Sequence, residues 1–76
     1  MPRFYFDVWA GAESMPDSEG LELDSLKSAE HEATQTVLTL GRDWLPRAQE
    51  VRVEVRDEQY QLQLTLRAML TVERPG

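Results

Sequence analysis

From Val51 to Val72 apolar and polar residues alternate almost without a break, which is the period of strands that bury one face. Val51, Val53 and Val55 alternate with Arg52, Glu54 and Arg56. Leu62, Leu64, Leu66, Ala68, Leu70 and Val72 alternate in turn with Gln61, Gln63, Thr65, Arg67, Met69 and Thr71. The pattern predicts a hairpin turning at Asp57 to Tyr60, with Val55 opposite Leu62, Val53 opposite Leu64, Val51 opposite Leu66, and Glu50 opposite Arg67 on the other face. In that register the last strand outruns its partner, because residues opposing Ala68 to Val72 would lie at or before Gln49, next to Pro46. Open backbone groups and exposed apolar side chains are usually covered or paired. The overhang, with Met69, Leu70 and Val72, is therefore expected to complete a sheet or core with a second copy of the chain.

The amino-terminal half supplies the rest of the sheet and a helix. Arg3 to Trp9 alternates with Phe4, Phe6 and Val8 on one side and Arg3, Tyr5, Asp7 and Trp9 on the other, again a strand. Ala10 and Gly11 turn the chain. Ser14 to Pro16 and Leu21 to Leu23 return as a short second strand, broken at Pro16 and at Asp17-Ser18-Glu19-Gly20, and a broken strand with proline belongs at a sheet edge. Asp24 or Ser25 can cap a helix, and Leu26, Ala29, Ala33, Val37, Leu40 and Trp44 recur at spacings of three and four as its apolar stripe. Gly41 weakens the end of this helix and Pro46 forbids its continuation, so it should stop between Leu40 and Leu45, with Trp44 closing the core. The expected fold is α+β: a single ββαββ domain over residues 1–76, its four-stranded, largely antiparallel sheet in spatial order two, one, three, four, with the helix on one face.

A chain of 76 residues buries only about 60% of its unfolded surface, which favours help from a second subunit and thus a homodimer. There is no cysteine, which removes a disulfide framework and thiolate metal sites, and makes the cytoplasm the expected compartment. No apolar stretch approaches the roughly 20 residues of a membrane helix. The net charge of −6 is unevenly placed: residues 1–38 hold eight acids against Arg3 and Lys27, whereas residues 39–76 hold six acids against six arginines. Glu13, Asp17, Glu19, Glu22 and Asp24 would steer a basic protein to this stretch. A solvated acidic face that keeps a small protein dispersed has the same composition.

Three further constellations bear on function. With the helix over the inner face, Tyr5 and Trp9 would stand on the outer face with Arg3, Arg52, Arg56 and Arg67, beside Gln61 and Gln63, and opposed only by Asp7 and Glu54. Bases of single strands stack on such aromatics between arginines that hold the backbone, although the overall acidity argues against nucleic acid. An uncovered face of this composition is equally suited to a subunit contact. His31 is the only histidine and falls off the apolar stripe, so the chain lacks the parts of a zinc site or a Ser-His-Asp site and no catalytic residue is expected. Asp17, Glu19, Glu22 and Asp24 do not match the spacing of a calcium loop, and they suit a turn and a helix start, where negative charge meets the positive end of the dipole. No metal and no cofactor is expected.

The run Met1-Pro2-Arg3-Phe4-Tyr5-Phe6-Asp7-Val8, the later Asp17-Ser18-Glu19-Gly20-Leu21-Glu22-Leu23, the alanine-containing helix and the ending Val51 to Leu66 resemble a family of short bacterial proteins of unknown function that begin with a proline, an arginine and aromatics. That family commonly has Asp-Gly where this chain has Ala10-Gly11, and the resemblance implies a fold without an activity. Over residues 1–38, strand one, Pro16-Asp17-Ser18-Glu19-Gly20 and the Leu26 to Leu40 helix also resemble, more loosely, the amino-terminal domain of HicB-type antitoxins. That second likeness implies a partial RNase H-like fold that binds a small basic toxin, which the acidic stretch would suit.

Overall fold

The two alternating regions do form strands, and the stripe between them forms a helix. The computed structural model describes residues 1–76, and along the chain come β1 (Arg3–Ala10), β2 (Glu13–Met15), β3 (Leu21–Glu22), α1 (Leu26–Trp44), β4 (Glu50–Arg56) and β5 (Leu62–Met69). Every strand pair is antiparallel, in the order β2-β1-β4-β5, with β3 on β1 beyond the end of β2. The expected α+β fold and strand order are therefore present, with the broken second strand delivered as two pieces that bring the sheet to five strands.

Those pieces flank a gap. Met15, Ser14 and Glu13 of β2 pair with Val8, Trp9 and Ala10, while Glu22 and Leu21 of β3 pair with Arg3 and Phe4. Tyr5, Phe6 and Asp7 between them face the Pro16–Gly20 loop instead of a strand. Gly20 shapes this loop: its φ is +73°, and a Cβ there would lie 2.9 Å from the Phe4 carbonyl oxygen. Both facts exclude a side chain.

Ser25 caps α1, its extended backbone (φ −160°, ψ 164°) letting the hydroxyl accept from the Ser28 amide at 3.2 Å. At the other end the Leu45 amide donates to the Gly41 carbonyl at 2.9 Å and Pro46 follows. The face turned to the sheet is made of small residues, Ala29, Ala33, Val37 and Gly41, and they bring the helix backbone close to β4. Val51, Val53 and Val55 are fully buried there, and with Phe4, Val8, Ala29, Ala33 and Val37 they form the core. Leu40, Trp44, Leu45, Leu64, Leu66 and Ala68 close its margins. No helix is long and apolar enough to cross a membrane.

The hairpin register departs from the expected one by two residues. Val55 lies opposite Leu64, Val53 opposite Leu66, Val51 opposite Ala68 and Glu50 opposite Met69. The turn is the cause, because it takes in more residues than Asp57 to Tyr60. The Asp57 amide donates to the Gln61 carbonyl at 3.0 Å, its Oδ1 accepts from the Gln59 and Gln61 amides at 2.9 Å, and Tyr60 adopts φ +63°. A bulge between Val55 and Arg56 absorbs the remaining offset. The expected overhang shrinks accordingly: Ala68 and Met69 have partners within the chain, and only the residues from Leu70 onward run past β4.

Candidate functional site

The outer sheet face carries arginines in the expected positions, but each already has an acid beside it. Arg3 Nη2 lies 2.8 Å from Glu22 Oε1 and its Nη1 donates to the Glu19 carbonyl at 2.7 Å. Arg52 Nε lies 3.7 Å from Glu54 Oε2, and Arg56 Nη2 donates to Glu54 Oε1 at 3.2 Å. Arg67 Nε lies 3.7 Å from Glu50 Oε1. The Arg52 guanidinium sits over the Trp9 ring, 5.1 Å from its centroid. The face expected to be mildly basic is thus balanced charge for charge, because Glu50, Arg52, Glu54 and Arg56 alternate along β4, although Arg52 lies directly opposite Arg67 and Glu54 opposite Asp7. Tyr5 and Trp9 are half-buried in that lattice, and their rings are not free stacking platforms.

Asp7 is the one charged residue that the fold buries. It stands on the outer face with Tyr5 and Trp9, as the alternation of β1 predicts, and is covered there by a loop and a turn. Its Oδ1 accepts from the Asp17 amide at 2.9 Å, its Oδ2 accepts the Tyr60 hydroxyl, and Arg56 Nε lies 3.5 Å from that same oxygen. Asp17 reciprocates: its Oδ2 accepts from the Phe6 amide at 3.2 Å, and its Oδ1 from the Glu19 and Gly20 amides at 3.1 Å. A carboxylate thereby takes the place of a strand in the gap between β2 and β3. Tyr60 adds its ring to Tyr5, 5.7 Å away between centroids, and lies under the Arg56 guanidinium at 5.1 Å. Sequence reading did not single out Tyr60, whose partner Asp7 is 53 positions away.

Proton affinities in this cluster follow from the contacts. Partial burial alone would raise Asp17, but the Gly20, Phe6 and Glu19 amides together with the Arg3 charge hold its carboxyl below the ordinary 3.8. Tyr60 moves upward, chiefly because its hydroxyl donates to Asp7, with burial and the Asp7 charge adding to the effect and Arg56 opposing it. Raising a phenol's folded-state affinity above its unfolded one stabilises the fold at pH below the ordinary value of 10.0, and that contribution is lost as pH rises through the folded-state value. In an ultraviolet-absorbance titration one of the two tyrosines is therefore expected to ionise above the ordinary tyrosine range, and Tyr60→Phe should remove that late phase. Retention of the late phase in the variant would break the assignment to Tyr60. Chemically the cluster is a joint: the carboxylate oxygens of Asp7 and Asp17 accept from groups of the same chain, and they tie β1 to the Pro16–Gly20 loop and to the β4–β5 turn.

The acidic stretch is largely spent on the fold as well. Asp17 serves the loop, Glu22 pairs with Arg3, and Asp24 accepts from the Ser28 and Ser25 hydroxyls at the start of α1. Those two hydroxyls, Ser28 first, hold the Asp24 carboxyl below its ordinary value. Glu13 and Glu19 remain exposed and outside any ion pair. His31 is exposed on α1, where its ring nitrogen Nε2 meets Gln35 Nε2 at 3.1 Å, and no group of three or more His, Asp or Glu converges as a metal site would require. A 310 Å³ cleft lies between the β1–β2 turn and the end of α1, where Arg47 stacks on Trp44 at 5.3 Å.

The two sheet edges differ sharply. One is short, broken and acidic: β2 and β3 carry Glu13 and Glu22, with Pro16, Asp17 and Glu19 in the intervening loop. The other is β5, open from Leu62 to Met69, without proline or lysine and with Arg67 as its only charge. Leu62, Met69, Leu70 and Val72 are exposed along or just beyond it, and Leu64 and Leu66 are only half-buried under the margin of the helix.

No curated protein and no solved structure matches the chain, and nothing in these comparisons takes up the antitoxin likeness. One family model does match, a domain of unknown function, DUF6894, over residues 3–69. That span runs from the first residue of β1 to the last of β5, so it takes in both edges and the Asp7–Asp17 joint, and the chain belongs to the DUF6894 family.

Proposed function

We propose that the chain is a non-catalytic binding domain that self-associates through the free edge of β5. The observation that carries this reading is the asymmetry of the sheet. Proteins blunt exposed edges with charge, proline, breaks and bulges, and this one concentrates such devices on the β2–β3 side. β5 retains a bulge at its start and one arginine already paired with Glu50. Its exposed apolar residues run on through Leu70 and Val72, so pairing there would bury side chains as well as backbone groups. The marginal core of a small domain gives such pairing a further benefit, and a two-fold isologous contact is its commonest form.

Recognition of a basic protein, as the antitoxin likeness implies, has Glu13 and Glu19 in its favour but loses Asp17, Glu22 and Asp24 to internal contacts. Single-strand binding would require the arginines to leave their carboxylates. Self-association is the better supported reading, and sedimentation equilibrium tests it. The intact chain is expected at twice the monomer mass at micromolar concentration. Leu70→Lys should return it to a folded monomer, since Leu70 lies beyond β5 and is 48% exposed. An intact chain that stays monomeric and folded at high micromolar concentration overturns the reading.

A further inference from the structure

We propose that the outer sheet face holds a site for one phosphate group, seated between Arg52 and Arg67. The arginines of that face fall into two kinds. Arg3 and Arg56 have both ends of the guanidinium committed: Arg3 Nη1 and Nη2 donate to the Glu19 carbonyl and to Glu22, and Arg56 Nη1 and Nη2 donate to the Tyr60 carbonyl and to Glu54. Arg52 and Arg67 instead approach a carboxylate only through Nε, at 3.7 Å, beyond hydrogen-bond length. Their Nη groups are left without a partner in the chain.

Strand pairing puts these two side chains together. Trp9, Arg52 and Arg67 form one row across β1, β4 and β5, and Asp7, Glu54 and Thr65 form the next. Each row thus carries a like-charge pair, which opposes strand pairing. The acidic pair has its counter-charge within the chain, because Arg56 reaches Asp7 Oδ2 at 3.5 Å and Glu54 Oε1 at 3.2 Å. The basic pair has no such bridge: Glu50 and Glu54 flank it along β4, and each lies beside a single member of the pair. An oxyanion between Arg52 and Arg67 does for its row what Arg56 does for the neighbouring one. Arg52 is already held for it, lying on the Trp9 ring with Nε sealed from solvent, while Arg67 is 58% exposed and free to swing in. Cβ atoms of directly opposite residues lie about 4.5–5.5 Å apart, so both guanidiniums reach one group. A phosphate presents oxygens in tetrahedral directions to two forks at once, whereas a carboxylate offers a single plane that suits one fork. A nucleic-acid strand needs arginines for successive phosphates, and Arg3 and Arg56 are committed, so the site takes one group.

The test is inorganic phosphate titrated into the intact chain at constant ionic strength and followed by nitrogen-edited NMR. The Trp9 indole and the Nε–H groups of Arg52 and Arg67 are expected to shift along one saturating curve, with the Trp44 indole unmoved as the internal control. Arg67→Gln should weaken binding about tenfold or more, the loss of one charge-assisted pair, and acetate should shift the same signals far less than phosphate. A Trp9 response that never saturates, or that survives Arg67→Gln undiminished, would overturn the site. Acetate binding as tightly as phosphate would overturn the assignment to phosphate. An oligothymidylate whose affinity climbs with its length would overturn the limit to one group and return the face to nucleic acid. Self-association is read separately by sedimentation, so neither proposal stands or falls with the other.

Discussion

Asp17→Ala is expected to cost about 3 kcal/mol of folding stability, since charge-assisted hydrogen bonds contribute roughly 1.5–3 kcal/mol each and a stranded buried donor adds a penalty of its own. The carboxylate accepts from the Phe6, Glu19 and Gly20 amides. The Phe6 amide matters most, because it points into the gap between β2 and β3, where no strand offers a carbonyl. Total stability for a chain of this size is on the order of 4–11 kcal/mol, so the variant should lose a large part of it, read as a lowered urea midpoint at unchanged slope. The pH dependence gives a second measurement. Asp17 has a depressed folded-state affinity for protons, so its contribution is complete above the ordinary carboxylate value of 3.8 and is lost as pH falls through the folded-state value. The difference in stability between the intact chain and Asp17→Asn should therefore shrink on acidification below that value. A difference that stays constant down to the acid limit would mean that the negative charge is not what the loop uses.

Ala33→Leu should also cost about 3 kcal/mol, the upper end of the 1–3 kcal/mol typical of overpacking. Ala33 is completely buried, facing the β4 valines, which are buried to the same degree. The small residues on that face of α1 set the distance between helix and sheet, and three added carbon atoms can be placed only by lifting the helix or forcing poor rotamers. Lifting the helix would open the rim at Leu40, Trp44 and Leu64 as well, so a blue-shift loss in tryptophan emission should accompany the lower melting temperature. Leu38→Ala on the same helix is the control: Leu38 is 64% exposed, and surface changes of this kind usually stay within about 0.5 kcal/mol. Since Ala is a better helix former than Leu, propensity cannot make Leu38→Ala costly, and equal destabilisation by the two variants would overturn the core-spacing argument.

Periodicity made β1, α1, β4 and β5 legible in the sequence, because each has enough residues to show its repeat and each buries one side. The hairpin register was not legible, for a definite reason. Sliding β5 by two residues returns the same side chains to the same face, so the hydrophobic pattern is indifferent between the two registers. The decision falls to the turn, where Tyr60 occupies the left-handed region that glycine or asparagine would have advertised. Asp7 stands on the outer face that alternation assigns it, opposite Glu54, but its burial there was not legible. Alternation assigns a face and does not say whether loops from elsewhere cover it, and the groups that cover Asp7 come from Asp17 and Tyr60. The acids of residues 13–24 looked like a patch because a sequence shows charges without their partners. In space Arg3 and the amides of the Pro16–Gly20 loop account for much of that charge.

The carboxylate plug opposite Phe6 also bears on how large an assembly this fold can make. A sheet open on both sides could in principle add copies without end, and any weak propensity to pair would then scale into fibres. Here one side is interrupted by Asp17 and reduced to strands of three and two residues, so it offers no template of useful length. Under the proposed pairing the domain has a valence of one: β5 takes a single partner, and the complex so formed presents only the two plugged sides to the next molecule. Removing the plug would therefore change stoichiometry as well as stability, converting an association that terminates into one that can propagate.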